Sequence, residues 1–388
     1  MKKNPLKLII AALIISASLG IQSCSEDEYS IITIPAIGIA QDPGNFKGDI
    51  PSGQTVTLDP TQTYQLTGSV VIKNGGKLVI PAGTRIVATV GASAFVIVEQ
   101  GGQLFANGTS GSPVLFTSSD KTAGSWGGIV VCGKAPINVG PSATSEIGNS
   151  MYGGTDTADT SGSLSFVRVE YAGAVYTGDK KFNGLSLFGV GNTTKVENVA
   201  LVNGGDDGIQ LYGGTVNVSN IVSLANDNNA FVWSEGWKGT ASNIFTKRKA
   251  DGTGNTGIKG MNNPNNQNAA PRSNPTIKNV TFIGGTTGEA DAIQLKSGTY
   301  ANLENVVISN WNTGVNLESD STVAYFNGKK RMKDVLFDSN VTTKVSAKSS
   351  AGNNVAILDS TYIEKADATG AGNGIATPAW ATGWSGLQ

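Results

Sequence analysis

Two adjacent carboxylates, Asp206 and Asp207, stand between glycines at the start of the apolar segment 209–211. Paired carboxylates can serve as general acid and general base on a glycosidic bond when they face each other across it. Neighbouring strand residues point to opposite faces, so this pair could flank one bond only if a turn redirected one side chain. The alternative is structural, because the residues at the same place in later repeats are also polar turn formers: Asn229, Asp291 and Thr313. We favour the structural role and predict no catalytic residue.

Two further carboxylates, Asp227 and Glu235, follow within the next repeat and could gather beside the Asp pair. Carboxylate oxygens are the ligands that calcium prefers. The chain carries no spaced calcium-binding loop, so we predict no metal site and no cofactor, with calcium as the alternative. Asp206, Asp207, Asp227 and Glu235 are therefore candidate ligand-binding residues.

The segment 231–237 adds two tryptophans to these carboxylates. A register of 22 residues places Trp233 over Leu211, which predicts that Trp233 lies in the core. Trp237 falls beyond Gly214, in a turn, and we predict that it is exposed and binds ligand. An exposed aromatic ring can stack on the apolar face of a sugar while neighbouring carboxylates bond its hydroxyls. Packing of Trp237 against a neighbouring loop is the alternative.

Composition excludes several classes of function. The chain has no histidine, which excludes serine–histidine, cysteine–histidine and histidine–zinc active sites. Cys132 lies in the strand-like segment 129–132, and we predict that it is a small buried hydrophobic residue. The net charge of -1 argues against nucleic acid as a partner.

A repeated tripeptide predicts how these residues are positioned. Each copy places Asn before Val or Ile, and the copies are centred on Asn198, Asn220, Asn243, Asn279 and Asn305, with Asp334 as a degenerate sixth. A period of roughly 20–30 residues with two short strands per period is typical of a solenoid. We predict an all-β fold, a right-handed parallel β-helix (solenoid) of roughly 12 coils. Stacking would place the Asn side chains in one hydrogen-bonded column.

The chain divides into three parts by composition. Residues 1–23 are predicted to be a lipoprotein signal peptide, 24–46 an acidic, flexible tether, and 47–388 a single β-helix domain. Within that domain, residues 136–162 lack strand periodicity and are predicted to form a loop. Residues 261–275, rich in Asn and Pro, are predicted to be an insertion that accounts for the long step from Asn243 to Asn279. Trp380 and Trp384 are predicted to cap the open end of the core.

The N-terminal leader provides an address. Lys2 and Lys3 precede an apolar run that is too short to cross a bilayer, as in a signal peptide. The run ends in Ile21-Gln22-Ser23-Cys24, which resembles the bacterial lipobox. That resemblance implies that Cys24 is diacylated, becomes the new N-terminus and anchors the protein to a membrane. The acidic stretch 25–28 resembles the export signal of Bacteroidota surface lipoproteins, and a solvated spacer is the alternative.

Two segments, 206–209 and 234–237, resemble those of Bacteroidota surface lipoproteins of the right-handed parallel β-helix type. The resemblance covers roughly the C-terminal two-thirds and the lipobox, and implies surface display without an established activity. The Asp pair is also similar to that of β-helical pectin-degrading hydrolases, whose histidine this chain lacks. We predict an outer-membrane, cell-surface lipoprotein that binds polysaccharide or serves as a structural module. The alternatives are a polysaccharide lyase or glycoside hydrolase, and an adhesin-like scaffold for another protein.

Overall fold

Parallel strands stacked coil upon coil make up the structure, which is a computed structural model describing residues 38–285 and 290–388. Residues 34–388 form one unit, and a second unit, 1–33, falls outside the described residues together with the predicted signal peptide and Cys24. Within the described part, no helix is long and apolar enough to span a membrane.

Three sets of parallel strand pairings, here called sheets A, B and C, form the walls of the solenoid, and bent strands join them into one continuous sheet. Sheet A contains one short strand from each coil: β1 (Phe46–Ile50), the end of β3 (Thr63–Ile72), β6 (Val96–Val98), β9 (Ile129–Cys132), β15 (Leu185–Phe188), β17 (Ile209–Tyr212), β19 (Phe231–Ser234), β21 (Ile258–Met261), β23 (Asp291–Lys296), β25 (Thr313–Glu318) and β27 (Thr343–Lys348). Sheet B starts with β2 (Thr55–Thr57), β4 (Lys77–Ile80) and β7 (Gln103–Asn107). Sheet C starts with the first half of β3, β5 (Arg85–Ala88) and β8 (Val114–Ser118).

From the fourth coil onward, sheets B and C share long, bent strands. These are β12 (Gly162–Glu170), β16 (Lys195–Val202), β18 (Val218–Leu224), β20 (Thr240–Lys247), β22 (Thr276–Ile283), β24 (Asn302–Ser309) and β26 (Met332–Phe337), followed by the short β28 (Tyr362–Glu364). Two small hairpins lie outside the walls, β10 (Ala143–Thr144) with β11 (Met151–Tyr152), and β13 (Val175–Thr177) with β14 (Lys180–Lys181). The described residues also contain one α-helix, α1 (Asp320–Phe326), and 3-10 turns at Gly38–Gln41, Pro43–Asn45 and Ala379–Ala381.

Pairing in sheet A confirms the predicted all-β, right-handed parallel β-helix. Each strand pairs in parallel with the strand one coil later, for example Leu211 with Trp233. Eleven strands stack in this sheet between β1 and β27, close to the roughly 12 coils expected.

The predicted asparagine column is present at the bend between sheets B and C. Asn198, Asn220, Asn243, Asn279 and Asn305 all have positive φ, between 53° and 57°. From Asn220 onward, each Nδ2 donates to the Oδ1 of the Asn one coil earlier, at 2.8 to 3.0 Å. Asn is the non-glycine residue that best tolerates this left-handed conformation, and its amide can donate and accept along the column. The repeat in the sequence is therefore the repeat of this bend.

The interior is filled by aligned apolar side chains. Trp233 is fully buried, as predicted, and its indole Nε1 donates to Thr299 Oγ1 at 2.9 Å. The residue paired with it on the next coil is Gly260, where an added Cβ would lie 2.2 Å from the indole. Gly260 is required here because the large ring occupies the space of its side chain.

Two insertions, not one, explain the long step from Asn243 to Asn279. From Asn220 to Phe231 the chain advances 11 residues, but from Asn243 to Ile258 it advances 15, because a loop follows β20. The remaining excess lies between β21 and β22, where the insertion 261–275 was predicted.

Residues 136–162, here called the flap, cover the outer side of sheet A in the early coils. Ile137, Ile147 and Tyr152 pack against outward-facing apolar residues of that sheet: Val71, Ile97, Val130, Cys132, Phe188 and Tyr212. Cys132 is buried and free, as predicted, and burial raises the pKa of its thiol to about 12. The flap therefore extends the core on the outside of the solenoid.

The C-terminal tail does not cap the open end of the core, contrary to the sequence prediction. Trp384 packs on the outer side of sheets B and C, against Ala200 and Val222, with its ring edge-on to Phe166 at 5.6 Å. Higher up, the backbone N–H groups of Thr369 and Gly370 both donate to Asn305 Oδ1 at 3.0 Å. Residues 369–388, here called the strap, therefore run back along the outer wall of sheets B and C. They bury apolar side chains that face outward there.

At the other end, part of the predicted tether is packed. The chain from residue 38 onward packs against the first coil, where Ala40 and Phe46 are fully buried. The solenoid therefore begins before residue 47.

Candidate functional site

Asp206 and Asp207 lie in the turn that leads into β17, and each accepts hydrogen bonds from an asparagine of the next coil. Asp207 is buried, and its Oδ1 accepts from the backbone N–H and the Nδ2 of Asn229, at 2.9 and 2.8 Å. Asp206 Oδ1 accepts from Asn228 Nδ2 at 2.8 Å. Asp207 therefore has the structural role that was predicted for it. The next residue in this series of hydrogen bonds is Thr256, which donates to Asn229, and not Asp291 as the repeat spacing had indicated.

Burial dominates the proton affinity of this pair. It raises the pKa of Asp206, and together with the charge of Asp206 it raises the pKa of Asp207 to about 7. Two carboxylates so close cannot both ionise cheaply in a low-dielectric site. Asp207 therefore titrates near neutral pH while it holds the next coil in place.

Asp227 does not join the Asp pair. Its side chain is exposed and forms an ion pair with Lys249, a residue of the loop that follows β20. The prediction that Asp227 gathers with the other carboxylates is wrong, because its turn points the side chain toward that loop.

Glu235 lies at the other end of the strand layer, directly after β19. Its φ is positive, and its carboxylate Oε2 accepts from the hydroxyl of Tyr152 in the flap at 2.7 Å. Burial raises the pKa of Glu235 to about 7, with the Tyr152 hydrogen bond opposing and the charge of Glu146 adding to the effect. Glu235 is thus a half-buried carboxyl group that connects the solenoid to the flap.

In a second tyrosine–glutamate pair, the solenoid supplies the tyrosine and the flap supplies the glutamate. Tyr212, from β17, donates its hydroxyl to Glu146 Oε1 in the flap at 2.7 Å. Phe188 lies between the two tyrosines. Its ring centroid is 3.9 Å from that of Tyr212, on which it stacks, and 5.0 Å from that of Tyr152, to which it is tilted. Two reciprocal bonds over an aromatic cluster hold the flap on sheet A.

Trp237 is fully buried, so the prediction that it is exposed is wrong. Its Nε1 donates to the backbone carbonyl of Val216 at 3.0 Å, and its ring lies 6.1 Å from that of Trp233. The register of 22 residues holds at Tyr212–Ser234, but it is 23 residues at Val218–Ala241. The turn between them therefore contains one extra residue, and the positive φ of Glu235 and Gly236 turns the indole inward.

The spacing of the carboxylates excludes a hydrolytic pair made from Asp207 and Glu235. Asp207 aligns with Asn229, and Glu235 lies six residues further along that coil. At about 3.3 Å per residue these positions are about 20 Å apart, whereas glycosidases hold their two carboxyl groups about 5–9.5 Å apart. Among the described residues, no group of three acidic, His or Cys side chains could hold a metal ion.

Beyond β19 the outer side of sheet A is uncovered and polar. This surface, here called the open face, consists of Lys259 on β21, Gln294 and Lys296 on β23, Asn316 and Glu318 on β25, and Lys348 on β27. Gln294 Nε2 and Asn316 Nδ2 both donate to Glu318 Oε1, at 3.0 and 2.9 Å. Lys259 forms no ion pair within the described residues.

A wall stands beside sheet A where the flap meets the insertion 261–275. Asn138 of the flap donates through Nδ2 to Asn262 Oδ1 at 2.8 Å and to the carbonyl of Pro271 at 3.1 Å. The Asn138 backbone N–H donates to the carbonyl of Glu235. Two segments that the sequence treated separately therefore form one structure around Glu235.

Sequence reasoning missed most of these residues. The open face was detectable, because its members alternate with the apolar residues of their strands. Glu146 and Tyr152 gave no signal, because they contact residues 66 and 83 positions away. Trp237, the aromatic residue predicted to bind sugar, is buried and therefore cannot stack on a ligand from this position.

A known protein family has this architecture. The model of a pectate-lyase-like beta-helix domain matches residues 48–385. The chain belongs to this family. The match spans the flap, the insertion and nearly all of the strap.

Other comparisons add little to the family assignment. No curated protein matches the chain. The Dettilon tailspike protein is a similar solved structure, with 11% identity and a TM-score of 0.28. The match covers 76% of this chain and 61% of the tailspike chain, so this chain spans about three fifths of that protein.

Proposed function

We propose that this pectate-lyase-like beta-helix protein is a surface lipoprotein, anchored through Cys24, that binds glycan on its open face. The observation that carries the proposal is the division of sheet A into two halves. In the early coils the outward residues are apolar and the flap covers them, whereas from β21 onward they are polar, apart from Met261, and at least partly exposed.

The open face suits a long polar polymer. Its amides, lysines and carboxylate recur on neighbouring strands about 4.8 Å apart, so a chain laid across the coils meets a hydrogen-bonding group at each step. Gln294, Asn316 and Glu318 hold one another in fixed orientations, which lowers the entropy cost of binding.

We propose binding rather than cleavage because the two carboxyl groups whose pKa rises to about 7 are already hydrogen-bonded within the protein. Asp207 is bonded to Asn229, and Glu235 is bonded to Tyr152 about 20 Å away from it. On the open face, the carboxylates of Glu318 and Asp291 both accept from the Asn316 amide, at 2.9 and 2.8 Å, so both are also hydrogen-bonded within the protein.

The test is retention of polysaccharides by the soluble chain that begins at Ser25, compared with a variant carrying both Gln294→Ala and Asn316→Ala. We expect the double variant to lose about 1–3 kcal/mol of binding free energy with an unchanged melting temperature. Lys278→Ala, on an outward position of β22, is the matched control. Release of reducing or unsaturated ends from the polysaccharides would instead favour a hydrolase or a lyase.

A further inference from the structure

A cavity of about 250 Å³ opens beside the ends of β23, β25 and β27. Lys296 and Lys348 reach it from two strands, and Gln267 reaches it from the insertion that follows β21. Glu318 also lines the cavity, so the charged side chains around it sum to one positive charge. Burial lowers the pKa of Lys296, and the charge of Lys259, on the neighbouring strand β21, lowers it further.

Neither cavity lysine is neutralised by a close partner. Within the described residues, no carboxylate lies in ion-pair distance of Lys296 or Lys348. The carboxylate that lines the cavity, Glu318, accepts through its Oε1 from the amides of Gln294 and Asn316. The half-buried ammonium group of Lys296 lies near the charge of Lys259, which is costly, and an anion bound in the cavity would relieve that cost.

Serine hydroxyls supply directed donors at the same place. The Oγ atoms of Ser349 and Ser350 accept backbone N–H groups, from Asn353 at 3.1 Å and from Asp320 at 3.0 Å. Because each oxygen is oriented as an acceptor by the backbone, its own hydrogen is available to donate into the cavity.

The kind of donor selects the shape of the anion. A planar carboxylate is matched best by the fork of an arginine, but the lining contains no arginine. Separate point donors, two ammonium groups with hydroxyls and an amide, suit a group with three terminal oxygens directed to different sides.

We propose that this cavity binds a tetrahedral oxyanion, the sulfate or phosphate group of an ester, between Lys296 and Lys348. The site shares Lys296, Glu318 and Lys348 with the open face, but binding of the oxyanion does not require a glycan to be bound there. Where both are occupied, the ester would be a substituent of that glycan.

Binding is tested by titrating the full soluble chain with sodium sulfate, inorganic phosphate or sodium acetate at constant ionic strength, followed through the amide chemical shifts of residues 349–352. We expect saturable binding of sulfate and phosphate and much weaker binding of acetate. Lys296→Gln and Lys348→Gln should each weaken binding about tenfold, as expected for loss of one charge-assisted hydrogen bond. Lys77→Gln, at an exposed position on β4, should leave it unchanged.

Two sugar esters then distinguish the source of the oxyanion. Glucose 6-sulfate and glucose 6-phosphate are titrated under the same conditions, and the tighter ligand identifies the ester. Equal affinity for acetate, or unchanged affinity in both lysine variants with native melting temperatures, would overturn the proposal. Loss of polysaccharide retention in the Gln294 and Asn316 variant is scored separately, so either proposal can fail alone.

Discussion

Asp207 makes the stability of this protein depend on pH, because its carboxyl group is buried and lies beside Asp206. Its pKa rises from 3.8 to about 7 on folding, so folding favours the protonated form. This contribution to stability is complete below pH 4 and is lost as the pH rises through 7. Glu235, whose pKa also rises to about 7, acts in the same direction.

We therefore expect the free energy of unfolding in urea to fall by about 1–4 kcal/mol between pH 5 and pH 8. Asp207→Asn keeps the shape and an acceptor for the Asn229 backbone but cannot ionise, so the variant should lose less stability over that range. A wild-type free energy that stays level or rises with pH would contradict this account.

Trp237 is the residue for which structure and sequence disagree most directly. Its buried indole contacts Phe231 and Trp233, with ring centroids at 6.0 and 6.1 Å. Trp237→Ala should lower the free energy of unfolding by about 3–5 kcal/mol, because it leaves a cavity in the core. The neighbouring Lys238→Ala, at an exposed position, is the control and should change stability by less than about 0.5 kcal/mol. An exposed Trp237 would give both variants the same small effect.

At the scale of elements, the asparagine column joins five coils through side chains. Asn243 accepts from Asn279 and donates to Asn220, and its backbone is left-handed. Asn243→Ala should destabilise by about 1–3 kcal/mol, because it removes two hydrogen bonds and strains φ. Asn243→Gly removes the same bonds without the strain, so the difference between the variants in urea unfolding measures the strain. Equal stability of wild type and both variants would refute the column as a source of stability.

The flap is a second element whose attachment can be tested. Tyr152→Phe removes the hydroxyl that donates to Glu235 but keeps the ring against Phe188. We expect amide hydrogen exchange in residues 140–152 to become about tenfold faster, as for loss of roughly 1.4 kcal/mol of local stability. Tyr176→Phe, whose ring packs on Phe182, serves as the control. Unchanged exchange in the flap would mean that apolar packing alone holds it.

At the scale of the whole molecule, the proposed lipid on Cys24 would place the solenoid at a membrane. Cys24→Ala should abolish labelling by fatty acid and move the protein from the membrane fraction to the soluble fraction. A labelled variant that still sediments with membranes would exclude Cys24 as the anchor. Glycan retention by the soluble chain is measured independently, so the membrane-anchor proposal and the glycan-binding proposal are tested separately.

The strap also belongs to this scale, because it joins coils that are far apart in the stack. It contacts Asn305 on β24 and Phe166 on β12, and between them it covers Ala200 and Val222. In a solenoid each coil otherwise contacts its neighbours alone, so such a strap couples distant coils. The outer wall of sheets B and C is therefore closed there, while the open face of sheet A remains accessible.

The sequence by itself determined the parallel β-helix and the asparagine column. Both follow from a local pattern that recurs once per coil, and stacking turns that pattern into contacts between equivalent residues. It also determined that Trp233 is in the core and that Asp207 caps the next coil, because the register of 22 residues holds across these positions.

Tertiary structure alone decided the surroundings of the site. One added residue in a turn moved Trp237 into the core, and no repeat pattern records such a change of register. The flap, the insertion and the strap lie outside the repeat, and their contacts join residues 60 to 130 positions apart, such as Asn138 with Asn262. Their placement depends on which outward residues of the finished solenoid are apolar and need a cover, and those surfaces exist only after the coils have stacked.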